Sequence, residues 1–253
     1  MSDYKLVIPA RYGSSRLPGK PLMDINGHPM IEHVHRVGEA SRAGEVLVAT
    51  DDERIAEAVA AFGGKVCMTR ADHASGTDRL AEVVDQMDWE DDTRVVNLQG
   101  DEPLMPAALL DQVAGNLERH PDAGMATLMT PIRSAGEFND PHAVKVVTDR
   151  AGYALYFSRA PIPWERDALE MESRGHLPHC FRHLGIYAYR AGFLKEFAAG
   201  EPCPLEQLEQ LEQLRALFNG VRIHVEEARQ APGHGVDNED DLERVRAQMA
   251  TRG

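Results

Sequence analysis

Leu6-Val7-Ile8-Pro9-Ala10-Arg11-Tyr12-Gly13-Ser14-Ser15-Arg16-Leu17-Pro18-Gly19-Lys20-Pro21-Leu22 is the stretch from which the rest of the chain is read. It opens as an apolar, β-branched run and breaks at Pro9 into a segment rich in Gly, Ser and Pro. That pattern predicts a buried first strand feeding a long loop. The loop carries Arg11, Arg16 and Lys20, and no Asp or Glu occurs between Asp3 and Asp24. In a chain of formal net charge -14 this is a local reversal of sign. A polyanion held near backbone amides, such as a nucleoside triphosphate, is the simplest chemistry that asks for it. Two familiar phosphate loops are excluded. A P-loop requires Gly, four residues, then Gly-Lys-Ser/Thr; here five residues separate Gly13 from Gly19, and Pro21 follows Lys20 without offering a hydroxyl. The Gly-x-Gly-x-x-Gly dinucleotide fingerprint is also missing after the strand.

Composition narrows the class. With 253 residues, 43% of them hydrophobic, the chain can bury a core as one large domain or a domain with an insertion. No apolar run approaches the roughly 18 residues of a membrane span. The N-terminus enters a strand with no basic head and apolar signal core, so a cytoplasmic location is expected. Cys67, Cys180 and Cys203 are widely spaced and odd in number, which forms neither a disulfide framework nor a zinc pattern. The acidic balance argues against nucleic acid as a partner, because binding to a phosphate backbone wants a basic face. It does not exclude one small anionic ligand.

Taken in order, apolar runs and helical patterns alternate through the first half. Met30, Ile31, Val34 and Val37 have the spacing of a core-facing helix after Pro29. Residues 46–50 form a second strand, Asp51-Asp52 cap a helix through 62, and 65–68 form a third strand. Ser75-Gly76-Thr77-Asp78 starts a further helix, and 94–99 make a fourth strand ending in Gly100-Asp101-Glu102-Pro103. A helix follows over about 106–118. This alternation predicts an α/β fold of parallel βαβ units with helices on both faces. The second half changes character. Val144-Lys145-Val146-Val147-Thr148 and Tyr153-Ala154-Leu155-Tyr156-Phe157 flank Asp149-Arg150-Ala151-Gly152 and read as a hairpin. Residues near 140–185 read as an insertion that covers the sheet edge or pairs with a second subunit, and 183–189 as a strand rejoining the sheet. The chain closes with a helix over 205–218, a strand over 221–225 and a helix over 240–249.

Ligands of open parallel sheets bind beyond the carboxyl ends of the strands. Asp101 leaves the fourth strand at the edge where Arg11 to Lys20 leave the first, so the two segments can converge. A magnesium ion on phosphate oxygens needs one or two protein carboxylates and keeps several waters. Asp101 is one such candidate; Asp237, in Gly233-His234-Gly235-Val236-Asp237, is another, although Asp-Asn before a helix is equally an ordinary N-cap. The leucines of the 205–214 repeat recur every three residues, not every 3.5, so they sweep around a helix by roughly 60° per repeat. On a continuous wheel Glu212 falls between Leu205 and Leu208, either as a solvated flank or as an inward carboxylate needing a hydroxyl or cation partner. The histidines do not assemble a zinc site, and no residue has the setting of a covalent nucleophile.

The opening stretch closely resembles the signature of the 3-deoxy-D-manno-octulosonate (Kdo) cytidylyltransferases, the CMP-Kdo synthetases. Met68-Thr69-Arg70-Ala71-Asp72-His73, Ser75-Gly76-Thr77-Asp78-Arg79-Leu80, Asn97-Leu98-Gln99-Gly100-Asp101-Glu102-Pro103, Tyr153-Ala154-Leu155-Tyr156-Phe157-Ser158-Arg159, Arg182-His183-Leu184-Gly185-Ile186-Tyr187 and Leu211-Glu212-Gln213-Leu214-Arg215 also resemble family blocks, in family order. The resemblance spans essentially the whole chain. It implies a nucleotide-diphospho-sugar-transferase-like, Rossmann-like three-layer fold with a mostly parallel sheet and one catalytic domain over 1–253. The inserted hairpin region would serve dimerisation in a homodimer. The implied reaction is CTP plus Kdo to CMP-Kdo plus pyrophosphate, with Mg2+, for lipopolysaccharide biosynthesis. By the same resemblance Arg11, Ser14, Arg16 and Lys20 would hold the triphosphate, and Arg79 and Gln99 would lie by the cytidine and the acceptor edge. Asp101 and Asp237 would bind magnesium, making Lys20, Arg16, Asp101 and Asp237 the catalytic set. Gln99, Arg159, His183, Tyr187, Glu212 and Gln213 would line the sugar pocket; Arg166 falls in the variable excursion. A cytidylyltransferase for another acidic sugar, or a non-catalytic nucleotide sensor, are the alternative readings.

Overall fold

The apolar opening run becomes β1 (Lys5–Ala10), and the computed structural model describes residues 4–13, 17–73, 75–166, 177 and 179–251. After a single 3-10 turn at Lys20–Leu22, two short strands, β2 (Asp24–Ile25) and β3 (His28–Pro29), form a small ribbon ahead of α1 (Met30–Glu39). Then come β4 (Glu45–Thr50), α2 (Glu53–Ala61), β5 (Lys65–Met68), α3 (Gly76–Gln86), β6 (Arg94–Asn97) and α4 (Ala107–Arg119). The second half adds β7 (Met125–Pro131), α5 (Ala135–Asn139), β8 (Lys145–Thr148), β9 (Ala154–Ser158), β10 (Phe181–Arg190) and α6 (Ala191–Ala199). It closes with α7 (Pro204–Glu209), α8 (Gln213–Phe218), β11 (Ile223–Glu227) and α9 (Glu239–Ala250).

The main sheet runs β11-β7-β10-β6-β1-β4-β5, with β8 on β10 and β9 on β8. Strand β1 pairs in parallel with both β4 and β6, with Ile8 opposite Val48 and Val7 opposite Asn97. Only β10 and the β8–β9 hairpin introduce antiparallel pairs among the described strands of this sheet. The period of two along each strand explains the three layers. Leu6, Ile8, Val46 and Val48 face Ile31, Ile55, Leu110 and Val245 from α1, α2, α4 and α9. Val7, Leu47 and Val95 face Leu80, Leu194 and Leu214 from α3, α6 and α8. Both faces are covered, which is why these strands read as unbroken apolar runs.

Three points differ from the pattern read from the sequence. The helix over 205–218 is two short helices, broken where Gln210 takes a left-handed backbone with φ 53°. The break swings Arg215 back onto Glu206, with bonds of 2.8 and 2.6 Å, a pairing a continuous helix would not give. Glu212 therefore does not sit on a wheel with Leu205 and Leu208, and Leu208 is 81% exposed. Second, β7 and α6 lack a sequence-level assignment, yet β7 is a central strand between β11 and β10. Third, the last strand begins at Ile223 instead of 221, because the chain turns at Gly220 with φ 77°. The hairpin is found as expected, with Val146 opposite Phe157.

Candidate active site

Beyond Ala10 the chain leaves the carboxyl end of β1, and its return is fixed by Gly19. Gly19 has φ 72°, its N–H donates to the Tyr12 carbonyl at 2.9 Å, and a Cβ there would press on the Tyr12 ring. The Arg54 guanidinium covers the same ring at 3.4 Å. The pinch delivers Lys20 to the end of β6. Its Nζ donates to Asp101 Oδ2 at 2.8 Å and to the Val236 carbonyl at 2.7 Å, and stands 3.7 Å from Asp237 Oδ1. The Val236 N–H donates to the Asp101 carbonyl at 2.9 Å, so the two loops that carry the carboxylates clasp each other. Glycine makes this approach feasible: any Cβ on Gly233 would collide with the Leu104 backbone, and one on Gly100 would stand 2.8 Å from the Pro9 carbonyl.

Beside this cluster lies Glu102, a residue that sequence reading did not single out. Burial first, then the neighbouring Asp101 and Asp237, push its carboxyl up to about 8, and its Oε2 is buried without a partner. The available signal was a second acid directly after Asp101.

Two cavities open at this end of the sheet. One, of about 340 Å³, is lined by Arg11, Lys20, Asp101 and Asp237 together with His73 and Arg79. Arg79 is 4% exposed, hydrogen-bonded to the Thr69 hydroxyl and 3.5 Å from Asp51, which offsets the cost of burying its charge. The second cavity, of about 320 Å³, takes His183, Tyr187, Glu212 and Gln213. Gln99 and Glu212 line both, so the cavities share a wall. Thr77 Oγ1 donates to Glu212 at 2.7 Å, supplying the hydroxyl partner an inward carboxylate needs, while burial raises the Glu212 carboxyl above its ordinary value. His183 meets Thr127 Oγ1 at 3.0 Å; burial, then Arg182, pushes it down to about 3, so the ring is neutral. Burial also drives the Tyr187 phenol well above its usual range. Asn97 and Tyr189, which sequence reading left without a role, line the second cavity too.

The structure brings together Arg11, Lys20, Arg79, Gln99, Asp101 and Asp237 around one cavity and His183, Tyr187, Glu212 and Gln213 around the other. Ser14 and Arg16 lie outside the described residues. Arg159 is not brought to either cavity wall. Its guanidinium donates to the carbonyls of Glu209, Pro141 and Gln210, and its N–H to Glu209 Oε2, so it braces the turn before Glu212 from behind. Among the described residues no cluster of three or more His, Cys, Asp or Glu has metal-binding geometry. Asp101 and Asp237 offer two hard oxygen donors, enough for an ion that takes its remaining ligands from phosphate and water.

Relatives place this arrangement. The cytidylyltransferase family model matches residues 6–223. A 3-deoxy-manno-octulosonate cytidylyltransferase of Hahella chejuensis is 58% identical over 252 residues, covering 99% of each chain. A solved CMP:2-keto-3-deoxy-manno-octonic acid synthetase complexed with CTP superposes at a TM-score of 0.91, with 46% identity and all of both chains covered. A 4-diphosphocytidyl-2C-methyl-D-erythritol synthase matches at a TM-score of 0.62 but only 14% identity, covering 98% of this chain and 99% of its own, and so attests to the fold alone. By sequence over nearly its full length and by fold, this chain belongs to the cytidylyltransferase family, among the 3-deoxy-manno-octulosonate cytidylyltransferases.

Proposed function

We propose that the chain joins CTP to Kdo, releasing pyrophosphate and forming CMP-Kdo for lipopolysaccharide biosynthesis. The observation that carries the reading is the shared wall: Gln99 and Glu212 border both a cavity edged by Lys20, Asp101 and Asp237 and a cavity of buried hydroxyl-reading groups. CTP takes the first and the acid sugar the second. The sugar's anomeric 2-hydroxyl attacks the α-phosphorus, the bond to the pyrophosphate bridging oxygen breaks, and the hydroxyl proton is lost to solvent. No covalent enzyme intermediate is needed, so the protein contributes positioning and charge neutralisation. Lys20 and Arg11 balance the triphosphate, with Ser14 and Arg16 of the same loop as further ligands. Glu212 and Gln213 orient sugar hydroxyls, and the neutral His183 offers a ring nitrogen without adding charge. Asp101 and Asp237 would hold Mg2+, which when bound supplies Lewis-acid neutralisation of the phosphates. Arg159 holds the Glu209–Gln210 turn that presents Glu212.

The test is pyrophosphate release with CTP and a panel of acidic sugars. Strong dependence on Kdo is expected, and release independent of any sugar would sink the reading. In the same assay Asp101→Asn should lose at least about 100-fold in turnover at fixed magnesium, within the range reported for removing one charge-stabilising group.

A homodimer in the cytoplasm, paired through the hairpin region, completes the proposal. The pairing is supported by the apolar Leu155 of β9 and Trp164, 63% and 67% exposed. Light scattering that reads a monomer at micromolar concentration would refute it.

A further inference from the structure

The loop between β5 and α3 holds a residue that the proposed chemistry leaves unused. His73 lines the nucleotide cavity with its side chain 6% exposed, and among the described residues its ring bonds from Nε2 to Glu82 Oε2. Glu82 is itself immobilised. Its Oε2 also accepts from the Arg70 N–H at 3.0 Å, and its Oε1 accepts from Gln86 Nε2 at 2.9 Å. Gln86 in turn donates to the Met68 carbonyl at the end of β5 at 2.9 Å. Burial acts to raise the Glu82 carboxyl, and the bonds from His73, Arg70 and Gln86 bring it below its ordinary value, so it remains an acceptor. A carboxylate only accepts, so Nε2 must carry the proton; in the neutral ring Nδ1 is left with a lone pair.

Sheet order shows which part of the ligand meets that nitrogen. The acceptor cavity lies toward β10 and β6, where His183, Tyr187 and Asn97 stand. Lys20, Asp101 and Asp237 mark the phosphates at the ends of β1 and β6. Strand β5 is the far edge of the sheet, two strands beyond β1, and the loop leaving it and the start of α3 bring His73 and Arg79 to the nucleotide cavity. With phosphate and acceptor placed on the other sides, the base falls against His73 and Arg79.

We propose that His73, fixed by Glu82, is a base-reading residue whose Nδ1 accepts from the exocyclic amine of cytosine and so disfavours uracil, which presents a carbonyl oxygen there. The proposal rests on the nucleotidyl-transfer reading above and deepens it. A bare structural brace would affect both nucleotides alike; a reader affects their ratio. A site built around a specific hydrogen bond rejects the analogue lacking it because a buried polar group is left unpaired.

The experiment measures kcat/KM with CTP and UTP, at saturating Kdo, for the unsubstituted enzyme, His73→Leu and His73→Asn. The CTP-to-UTP ratio is expected to fall about 10- to 100-fold in His73→Leu and to stay within about threefold in His73→Asn, whose Oδ1 can stand near the position of Nδ1. A folded His73→Leu enzyme that keeps the unsubstituted ratio overturns the proposal. If that variant does not fold, the unsubstituted protein answers by NMR. The His73 imidazole nitrogen signal should move with CTP and not with the 4-deoxy pyrimidine triphosphate, and equal shifts with both overturn it. Absence of all sugar-dependent pyrophosphate release would instead strike the transfer reading itself.

Discussion

Lys20 illustrates what one residue does here. Its ammonium stands between two carboxylates from loops 136 positions apart in sequence, Asp101 and Asp237, and also takes the Val236 carbonyl. That ammonium balances local negative charge, and in the proposed reaction it would meet the triphosphate. His183 shows the opposite strategy, neutrality kept by burial. Held at about 3 in the fold against an ordinary 6.5, it takes up a proton on unfolding anywhere between those values. The unfolded state then binds more protons, so this residue's effect is absent above about pH 6.5 and lowers stability progressively as pH falls toward 3. The slope approaches about 1.4 kcal/mol per pH unit. Denaturant unfolding of the native chain and of His183→Gln across pH 4–7.5 should show that slope lost in the variant. Parallel curves would remove His183 as its source.

At the scale of elements, the break between α7 and α8 determines where the second cavity gets its carboxylate, Glu212. Arg215 and Glu206 are buried together by bonds of 2.8 and 2.6 Å, the guanidinium stacks over Phe197 at 4.3 Å, and it also donates to the carbonyls of Phe197 and Gly200. Cys203 caps α7 by accepting from the Glu206 N–H through its sulfur. Arg159 supports the same turn through the Glu209 and Gln210 carbonyls. Arg215→Met would leave Glu206 buried with only the Cys203 N–H as partner among the described residues, at a cost of about 3–5 kcal/mol. Equilibrium unfolding should register that loss, together with a raised KM for Kdo and a smaller change for CTP. An unchanged midpoint would show that the pair has no such structural role.

Across the whole molecule, the topology separates tasks along the sheet. The parallel β1–β4–β5 and β1–β6 half presents its loops to the cavity lined by Lys20, Asp101 and Asp237. The antiparallel β10, with β7 and β6 beside it, supplies the floor of the acceptor cavity. Those two halves meet at β6, and Gln99, just beyond its end, lines both cavities. The joint of parallel and antiparallel sheet is thus also the joint of the two cavities, and in the proposed reaction of the two substrates.

The sequence by itself determined the parallel half. Unbroken Val/Leu/Ile runs at 6–8, 46–48 and 95–96, each followed by helix signals, admit little else when both faces are buried. It also made the loop after the first strand a candidate for polyanions, since local charge and glycine content need no tertiary information. Strand β7 escaped because Met125 to Pro131 mixes Met, Thr and Ala, whose preference for a strand comes from the neighbours they pack on. The break at Gln210 escaped because a non-glycine residue in the left-handed region is held there by its surroundings. Only tertiary structure decided that Glu212 faces Thr77, that Arg159 turns to carbonyls, that Glu102 is buried beside Asp101, and that Glu82 fixes His73. Each of these is a pairing between segments the sequence separates or a turn it does not announce, and burial with the partners it brings decides what such a side chain does.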